Sequence, residues 1–262
     1  MTEKAHKLAT LQLLREIDEQ RLEQESQAAY RLIAGEYYDG RHMTCRAFDF
    51  LDQRILDAYQ QKYGLVKRGK QYLEVGGGAA TLLRCVLPAD SSLVVGDLCT
   101  EMAQHSRPLP TNMTYEHFSA FNLPYAENHF DGVFAFLADP YNLPRFYKEA
   151  WRVLIVGGFL LMTCPTRLWA KTLRESDGDS LHYARFTTLE RKTVFVPSVT
   201  WSREEYYDLL EYVGFTVLLY EEFCLPPDYP SNRIPDTIRI PARRLGTEPS
   251  CLPLVTALLA QK

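Results

Sequence analysis

From Gln71 onward, short apolar runs alternate with stretches of helical periodicity, and this alternation restricts the fold more than any other feature of the sequence. The apolar runs are QYLEV, SSLVVGD, MTYEHF, FDGVFAF and GFLLMTCP. Strands that alternate with helices are typical of a parallel sheet covered by crossover helices on both faces. The pattern therefore predicts a doubly wound, Rossmann-like α/β domain of about seven strands.

Two amphipathic helices are predicted before this domain. Residues 4–34 carry one apolar stripe, formed by Leu8, Leu11, Leu14 and Ile17. A second helix carries Phe48, Leu51, Ile55, Tyr59 and Tyr63 at three- and four-residue spacing and ends at Gly64. Residues 1–66 are accordingly predicted to form an N-terminal helical cap. Such a cap either packs on the main domain only or also covers an active site.

The main domain is assigned to residues 67–246. Within it, residues 166–200 fall outside the regular alternation. Ser202 and Glu205 then predict a capped helix that ends at Gly214, followed by the strand FTVLLYEEF. A last strand is expected near Thr237–Leu245, and residues 247–262 are assigned to a C-terminal tail without a predicted element.

Composition excludes several classes of function. No apolar run of the 262 residues approaches the roughly 20 residues that a membrane span needs. A net charge of −4 without a basic run argues against tight, sequence-independent nucleic-acid binding. The six cysteines show no C-x-x-C spacing, so no zinc site is expected, and no other metal site is predicted. The predicted location is the cytoplasm, with no membrane partner.

The motif Tyr72–Ala80 carries the strongest chemical signal. A buried strand containing Glu74 runs into three consecutive glycines and is expected to open a helix, an arrangement that lets a ligand approach the backbone closely. Asp97 ends the next strand, where a carboxylate can bind the ribose hydroxyls of a nucleoside. These features fit either NAD or S-adenosylmethionine (SAM). A dinucleotide fingerprint needs a third glycine at the position of Thr81, and Glu74 suits an ammonium group better than a pyrophosphate.

Four segments resemble class I SAM-dependent methyltransferases. Glu74-x-Gly76-x-Gly78 resembles their glycine loop. The stretch FSAFNLPYAENHFDGVFAF resembles the small-molecule branch that contains quinone-biosynthesis methyltransferases. KEAWRVLIVGGFLLMTCP and SREEYYDLLEYVGFTV match two later segments in the same order. The resemblance covers about residues 71–220 and implies the seven-stranded fold with an antiparallel last strand and SAM as the cofactor.

The resemblance also implies roles for individual residues. Glu74 lies near the methionyl amino group, and the loop Gly76, Gly77 and Gly78 passes under the cofactor. Asp97 binds the ribose, and Leu98 and Met102 contact the adenine. Ser119 takes a position where the family often has aspartate, and the backbone amide of Ala120 offers a further contact to the base. Ala135, with Phe136 and Leu137, lines the channel for methyl transfer.

Three side chains are candidates for catalysis on the acceptor. His182 lies in the segment 166–200, which covers the acceptor in this family, whereas Tyr38 and His42 lie in the break between the N-terminal helices. A small molecule or a short peptide is the expected acceptor, methylated by SN2-like displacement. Asp139-Pro140-Tyr141 is similar to a motif of nucleic-acid base methyltransferases, so that class stays an alternative. A non-catalytic interaction module with the same fold is another.

Overall fold

The computed structural model describes residues 17–80, 82–106, 108–177 and 182–262. Its helices are α1 (Glu19–Tyr37), α2 (Met43–Tyr63), α3 (Thr100–Ala103), α4 (Pro144–Val153), α5 (Arg167–Asp177), α6 (Arg203–Val213) and α7 (Asp236–Arg244). Its strands are β1 (Gln71–Val75), β2 (Ser92–Asp97), β3 (Met113–His117), β4 (Phe130–Ala135), β5 (Leu154–Pro165), β6 (Tyr183–Thr187), β7 (Thr193–Pro197), β8 (Thr216–Phe223) and β9 (Val255–Gln261).

Seven of these strands form one sheet in the order β3-β2-β1-β4-β5-β9-β8. Strands β1 to β5 pair in parallel, whereas β9 is antiparallel to both β5 and β8. The order reverses at β1, since β2 lies on one side of it and β4 on the other. Open α/β sheets bind ligands at such a switch point, beyond the carboxyl ends of the strands. The prediction of a doubly wound sheet with an antiparallel last strand is confirmed.

The second N-terminal helix also agrees with its prediction. Helix α2 buries Phe48, Leu51, Ile55 and Tyr59 and ends at Gly64, whose φ of 58° is left-handed. Helix α1 begins after Asp18, which caps the backbone amide of Arg21, and it continues through Gly35 to Tyr37. The predicted stripe Leu8, Leu11 and Leu14 lies outside the described residues.

The C-terminal assignments are wrong in two places. The expected strand near Thr237–Leu245 is helix α7, because Ile238, Pro241 and Ala242 form one buried helical face. The predicted tail at 247–262 contains β9, which is inserted between β5 and β8. Six of its seven residues are buried, so both faces are apolar and the two-residue alternation of an ordinary strand is missing.

The prediction of a helix directly after the glycine loop is also wrong for the residues that the structure describes. A single 3₁₀ turn, Leu83–Cys85, stands there, and Ala80 adopts a left-handed φ of 54°. Thr81 itself lies outside the described residues, so the argument from its missing glycine stays a prediction.

The segment predicted to cover an acceptor contains α5 and the hairpin β6–β7. The hairpin packs on α1, where Ala29 and Ile33 form a small core with Val196. It thereby joins the N-terminal helices to the region beyond β5. Among the described residues, no helix is long and apolar enough to cross a membrane.

Candidate active site

A cavity lies beyond the carboxyl ends of β1 and β2, at the switch point of the sheet. Its wall includes Glu74, the glycine loop Gly76–Gly78 and Asp97. The loop turns sharply because Gly76 and Gly78 have φ values of 67° and 50°, a region that disfavours side chains. The volume of the cavity, about 130 Å³, is below the roughly 300–1,000 Å³ of small-molecule sites. We therefore expect that a nucleoside enters only when the surrounding side chains move outward.

Asp97 holds the glycine loop in place. One carboxylate oxygen accepts a hydrogen bond from the amide of Gly78 at 3.0 Å, and the other accepts one from the amide of Cys99 at 2.8 Å. Burial raises the pKa of Asp97, although these two amides act in the opposite direction. Each carboxylate oxygen can accept a second hydrogen bond, so Asp97 keeps the capacity to bind hydroxyl groups.

Glu74 presents a buried carboxyl group to the same cavity. Its side chain is 2% exposed, and its Oε2 atom has no hydrogen-bond partner among the described residues. Burial, with a smaller effect of the Asp97 charge, raises the pKa of Glu74 to about 8. A buried carboxylate without a partner is costly, and a cationic ligand group would remove that cost.

Two tyrosines cover the glycine loop. The hydroxyl oxygen of Tyr38 accepts a hydrogen bond from the amide of Ala79 at 2.8 Å, and the Tyr141 hydroxyl donates to the carbonyl of Val75 at 2.6 Å. Burial raises the pKa of Tyr38, so it stays a neutral phenol that can donate a proton in a hydrogen bond. The predicted candidate Tyr38 thus lies at the cofactor loop.

Helix α1 supplies a further wall of this cavity through Glu23, Ser26, Gln27 and Tyr30. Gln27 donates a hydrogen bond to the carbonyl of Leu98 at 3.0 Å. Ser119 donates its hydroxyl proton to Glu23 and accepts a hydrogen bond from the amide of Phe121 at 3.0 Å. Its one donor is therefore used within the protein, and Ser119 is absent from the described wall of the cavity, which Glu23 lines instead.

The remaining residues predicted for the cofactor divide into two groups. Leu98, Met102 and Ala120 line the cavity. Ala135 does not, because it ends β4 inside the fully buried core, and the wall continues with Phe136 and Leu137. The prediction of Ala135 as a lining residue is not supported by this placement.

A second cavity of about 440 Å³ adjoins the first. The two share Tyr30, Tyr37 and Leu137, and the second extends between α2, α5 and the hairpin β6–β7. Leu137 has a φ of 48°, which costs about 1–2 kcal/mol for a residue with a side chain. Its amide donates to the hydroxyl of Thr163 at 2.9 Å, which holds the strained turn in place. Such strain concentrates at functional sites.

The two candidate histidines differ in their position relative to the cavities. His42 lines the second cavity, and its Nε2 atom lies 3.0 Å from Oε2 of Glu36. Its ring packs against Phe186 of the hairpin, with the ring centres 4.5 Å apart. His182 is absent from the described walls of both cavities. Burial, with the charges of Arg174 and Arg167, lowers its pKa.

Other motif residues support the fold. Arg152 binds Glu149 and donates to the carbonyls of Leu123 and Tyr125, and Glu149 accepts from the amide of Leu123. The E-x-x-R spacing therefore anchors the loop before β4.

Residues 73–162 match the family described as a methyltransferase domain. This match covers the glycine loop, Asp97 and the strained turn after β4. The chain contains a methyltransferase domain and is a SAM-dependent methyltransferase. SAM is its cofactor, while membership of the quinone-biosynthesis branch stays a prediction. No functionally curated protein matches the chain.

Solved structures agree with this methyltransferase in fold. A SAM-dependent methyltransferase from Thermotoga maritima, described as a possible histamine N-methyltransferase, has a TM-score of 0.57 at 17% identity and covers 90% of this chain and 99% of its own. One from Methanosarcina mazei has a TM-score of 0.56 at 16% identity, covering 78% and 97%. One from Mesorhizobium loti has a TM-score of 0.54 at 16% identity, covering 79% and 96%.

Sequence reasoning missed three carboxyl groups that line the first cavity of this methyltransferase, Glu23, Asp49 and Asp52. Asp52 lines the first cavity and is 1% exposed. A signal for it exists, since Asp52 lies four residues after Phe48 and three before Ile55, within the apolar stripe of α2. Glu23 had no comparable signal, because its contact with Ser119 joins residues 96 apart in the chain.

Proposed function

We propose that this methyltransferase transfers the methyl group to a small-molecule acceptor bound in the second cavity. The observation that carries the proposal is the continuity of the two cavities at Tyr30, Tyr37 and Leu137. SAM supplies a methyl group on a sulfonium ion, which leaves as a neutral thioether. The protein's main contribution is then the alignment of the acceptor with that methyl group.

In this proposal the first cavity holds the cofactor. The unpartnered Oε2 of Glu74 fits the methionyl ammonium group, and the free acceptor capacity of Asp97 fits the ribose hydroxyls. Tyr38 and the loop Gly76–Gly78 line the path between them. Leu98 and Met102 offer apolar contacts to the adenine, with the amide of Ala120 nearby.

Glu23, in place of Ser119, is proposed to accept a hydrogen bond from the adenine amino group. Replacing Glu23 with glutamine is expected to weaken the binding of S-adenosylhomocysteine (SAH) about tenfold, since a hydrogen bond to a charged group contributes about 1.5–3 kcal/mol. Titration calorimetry measures the change. S-inosylhomocysteine, which has a carbonyl in place of the amino group, is expected to bind the variant no more weakly than it binds the wild type. An equal loss for both ligands would contradict the contact.

His42 is proposed to contact the acceptor, with Glu36 fixing the orientation of its ring. His42→Ala is expected to raise the KM for the acceptor about tenfold and to leave SAH affinity within twofold, because one hydrogen bond in the acceptor cavity is lost. His182→Ala is the matched control and is expected to change neither quantity. A fall in kcat of about 100-fold at unchanged KM would instead assign His42 as a general base.

The proposed acceptor class is tested with labelled SAM. Small molecules extracted from cells are expected to accept label, and SAH is expected to raise the melting temperature of the protein. Label that appears only in bulk tRNA or DNA would favour the base-methyltransferase alternative. Binding of SAH without transfer to any fraction would favour the non-catalytic module.

A further inference from the structure

Asp52 is a buried carboxyl group that the cofactor assignment does not use. It projects from α2 into the first cavity, and its Oδ1 atom has no hydrogen-bond partner among the described residues. The hydroxyl of Thr163, beside the strained turn at Leu137, is its hydrogen-bonding neighbour. Asp52 therefore lies near the end of the first cavity that adjoins the second.

Two further carboxyl groups lie near Asp52, and each has a cationic neighbour. Asp49 lines the same cavity and pairs with Arg46 at 2.9 Å. Asp139 lines the second cavity, in the field of Arg174. In the portion of the chain that the structure describes, no salt bridge involves Asp52. A positively charged ligand group would give Asp52 the cationic neighbour that Asp49 and Asp139 already have.

The walls around this position suit an organic cation. Tyr30 and Tyr37 line both cavities, and burial raises the pKa of each, so both rings stay neutral. Phe48, Trp169 and Phe186 line the second cavity beyond them. Aromatic faces attract ammonium groups and pack against rings.

We propose that the acceptor is an arylalkylamine whose nitrogen binds Asp52 at the junction of the two cavities. This inference rests on the proposed function and adds the substrate class. The amine enters as an ammonium ion, and one N–H proton passes to Oδ1 of Asp52, which frees the nitrogen lone pair. That lone pair forms the bond to the methyl carbon while the carbon–sulfur bond breaks, and its electron pair stays on sulfur. The product is a methylated ammonium ion, and Asp52 returns its proton to solvent.

The environment of Asp52 favours this proton transfer. Burial raises the pKa of Asp52 well above the usual range. The hydrogen bond with Thr163 acts in the opposite direction, and the charges of Asp49 and Asp139 raise the pKa further. A carboxylate in this position is a stronger base than one in water. His42 lines only the second cavity, where it can contact the distal part of the same molecule.

Binding to the SAH-loaded protein at pH 8 tests the proposal without turnover. The probes are phenethylamine with phenethyl alcohol, and tryptamine with tryptophol, each pair matched except for the amine. At least one amine is expected to bind about tenfold or more tightly than its alcohol, the usual gain from a charge-assisted hydrogen bond. Asp52→Asn is expected to abolish that preference. Asp57→Asn, on the exposed face of the same helix, is the control and is expected to retain it.

The outcomes separate this inference from the proposed function. Amines that bind no better than alcohols, or a preference that survives in Asp52→Asn, would overturn the amine assignment while SAH binding stands. A loss of SAM affinity without a loss of SAH affinity, with the amine preference intact, would assign Asp52 to the sulfonium and also overturn it. Asp52→Asn is expected to melt no lower than the wild type, because the amide has the shape of the carboxyl group and has no charged form to bury.

Discussion

Asp97→Ala is expected to weaken SAH binding about 10- to 150-fold, equivalent to about 1.5–3 kcal/mol for charge-assisted hydrogen bonds lost from a buried site. Two causes act together. The carboxylate is the proposed partner of the ribose, and it also holds the amides of Gly78 and Cys99, so the loop loses its support. Titration calorimetry with SAH measures the effect.

The control for this variant is Asp90→Ala, which removes an exposed carboxylate from the loop before β2. Its SAH affinity is expected to match the wild type. Far-ultraviolet circular dichroism of both variants checks that the sheet persists. SAH affinity that is unchanged in a folded Asp97→Ala variant would contradict the assignment of the ribose site.

SAH binding is expected to strengthen about tenfold per pH unit between pH 6 and 8 and to level off above pH 8. The pKa of Glu74 is about 8 without ligand, so the group is mostly protonated at pH 7. A bound ammonium group favours the carboxylate, and binding therefore releases a proton. Calorimetry in buffers of different ionisation enthalpy counts that proton. Glu74→Gln is expected to abolish both the slope and the release, and the exposed Glu190→Gln is the control.

The carboxyl group of Glu74 also makes the free energy of unfolding depend on pH. The folded protein binds the Glu74 proton more tightly than the unfolded chain does. The contribution of this proton to the free energy of unfolding is therefore fully present below pH 4.5. It is lost as the pH rises to about 8, by an amount on the order of 5 kcal/mol. Glu74→Gln removes this loss, so its melting temperature is expected to exceed that of the wild type most clearly at pH 8. If the binding constant for SAH does not vary with pH in the wild type, the proposed pairing of Glu74 with the ammonium group of the ligand is wrong.

Local patterns predicted the elements whose period is clear. The strands β1, β2 and β4, the capped start of α6 at Ser202 and the end of α2 at Gly64 follow from apolar runs and caps in adjacent residues. Strand β9 was missed because a strand buried on both faces has no two-residue period. Helix α7 was mistaken for a strand because Thr237, Ile238 and Ile240 are β-branched, while tertiary packing against α5 favours the helix.

The candidate site was predictable only where its residues follow consecutive strands. Glu74, the glycine loop and Asp97 end neighbouring strands and so meet at one sheet edge. Glu23 and Asp52 reach that edge from separate helices, and no local rule gives the rotation of a helix on a sheet. His182 was chosen because its segment covers acceptors in the family, but it precedes strand β6, whose residues Ala184, Arg185 and Phe186 form the cavity wall.

The position of β9 also has a consequence for biosynthesis. Among the residues that the structure describes, strand β8 pairs only with β9 in the sheet, and β9 also covers the outer edge of β5. Ribosomes add about 5–20 residues per second, so β8 waits about 2–8 seconds for the partner that begins 39 residues after its own first residue. During that interval two strand edges are open, and open edges can pair with other chains. The edges of β5 and β8 are therefore the places where a nascent chain of this enzyme is expected to pair with other chains until β9 arrives.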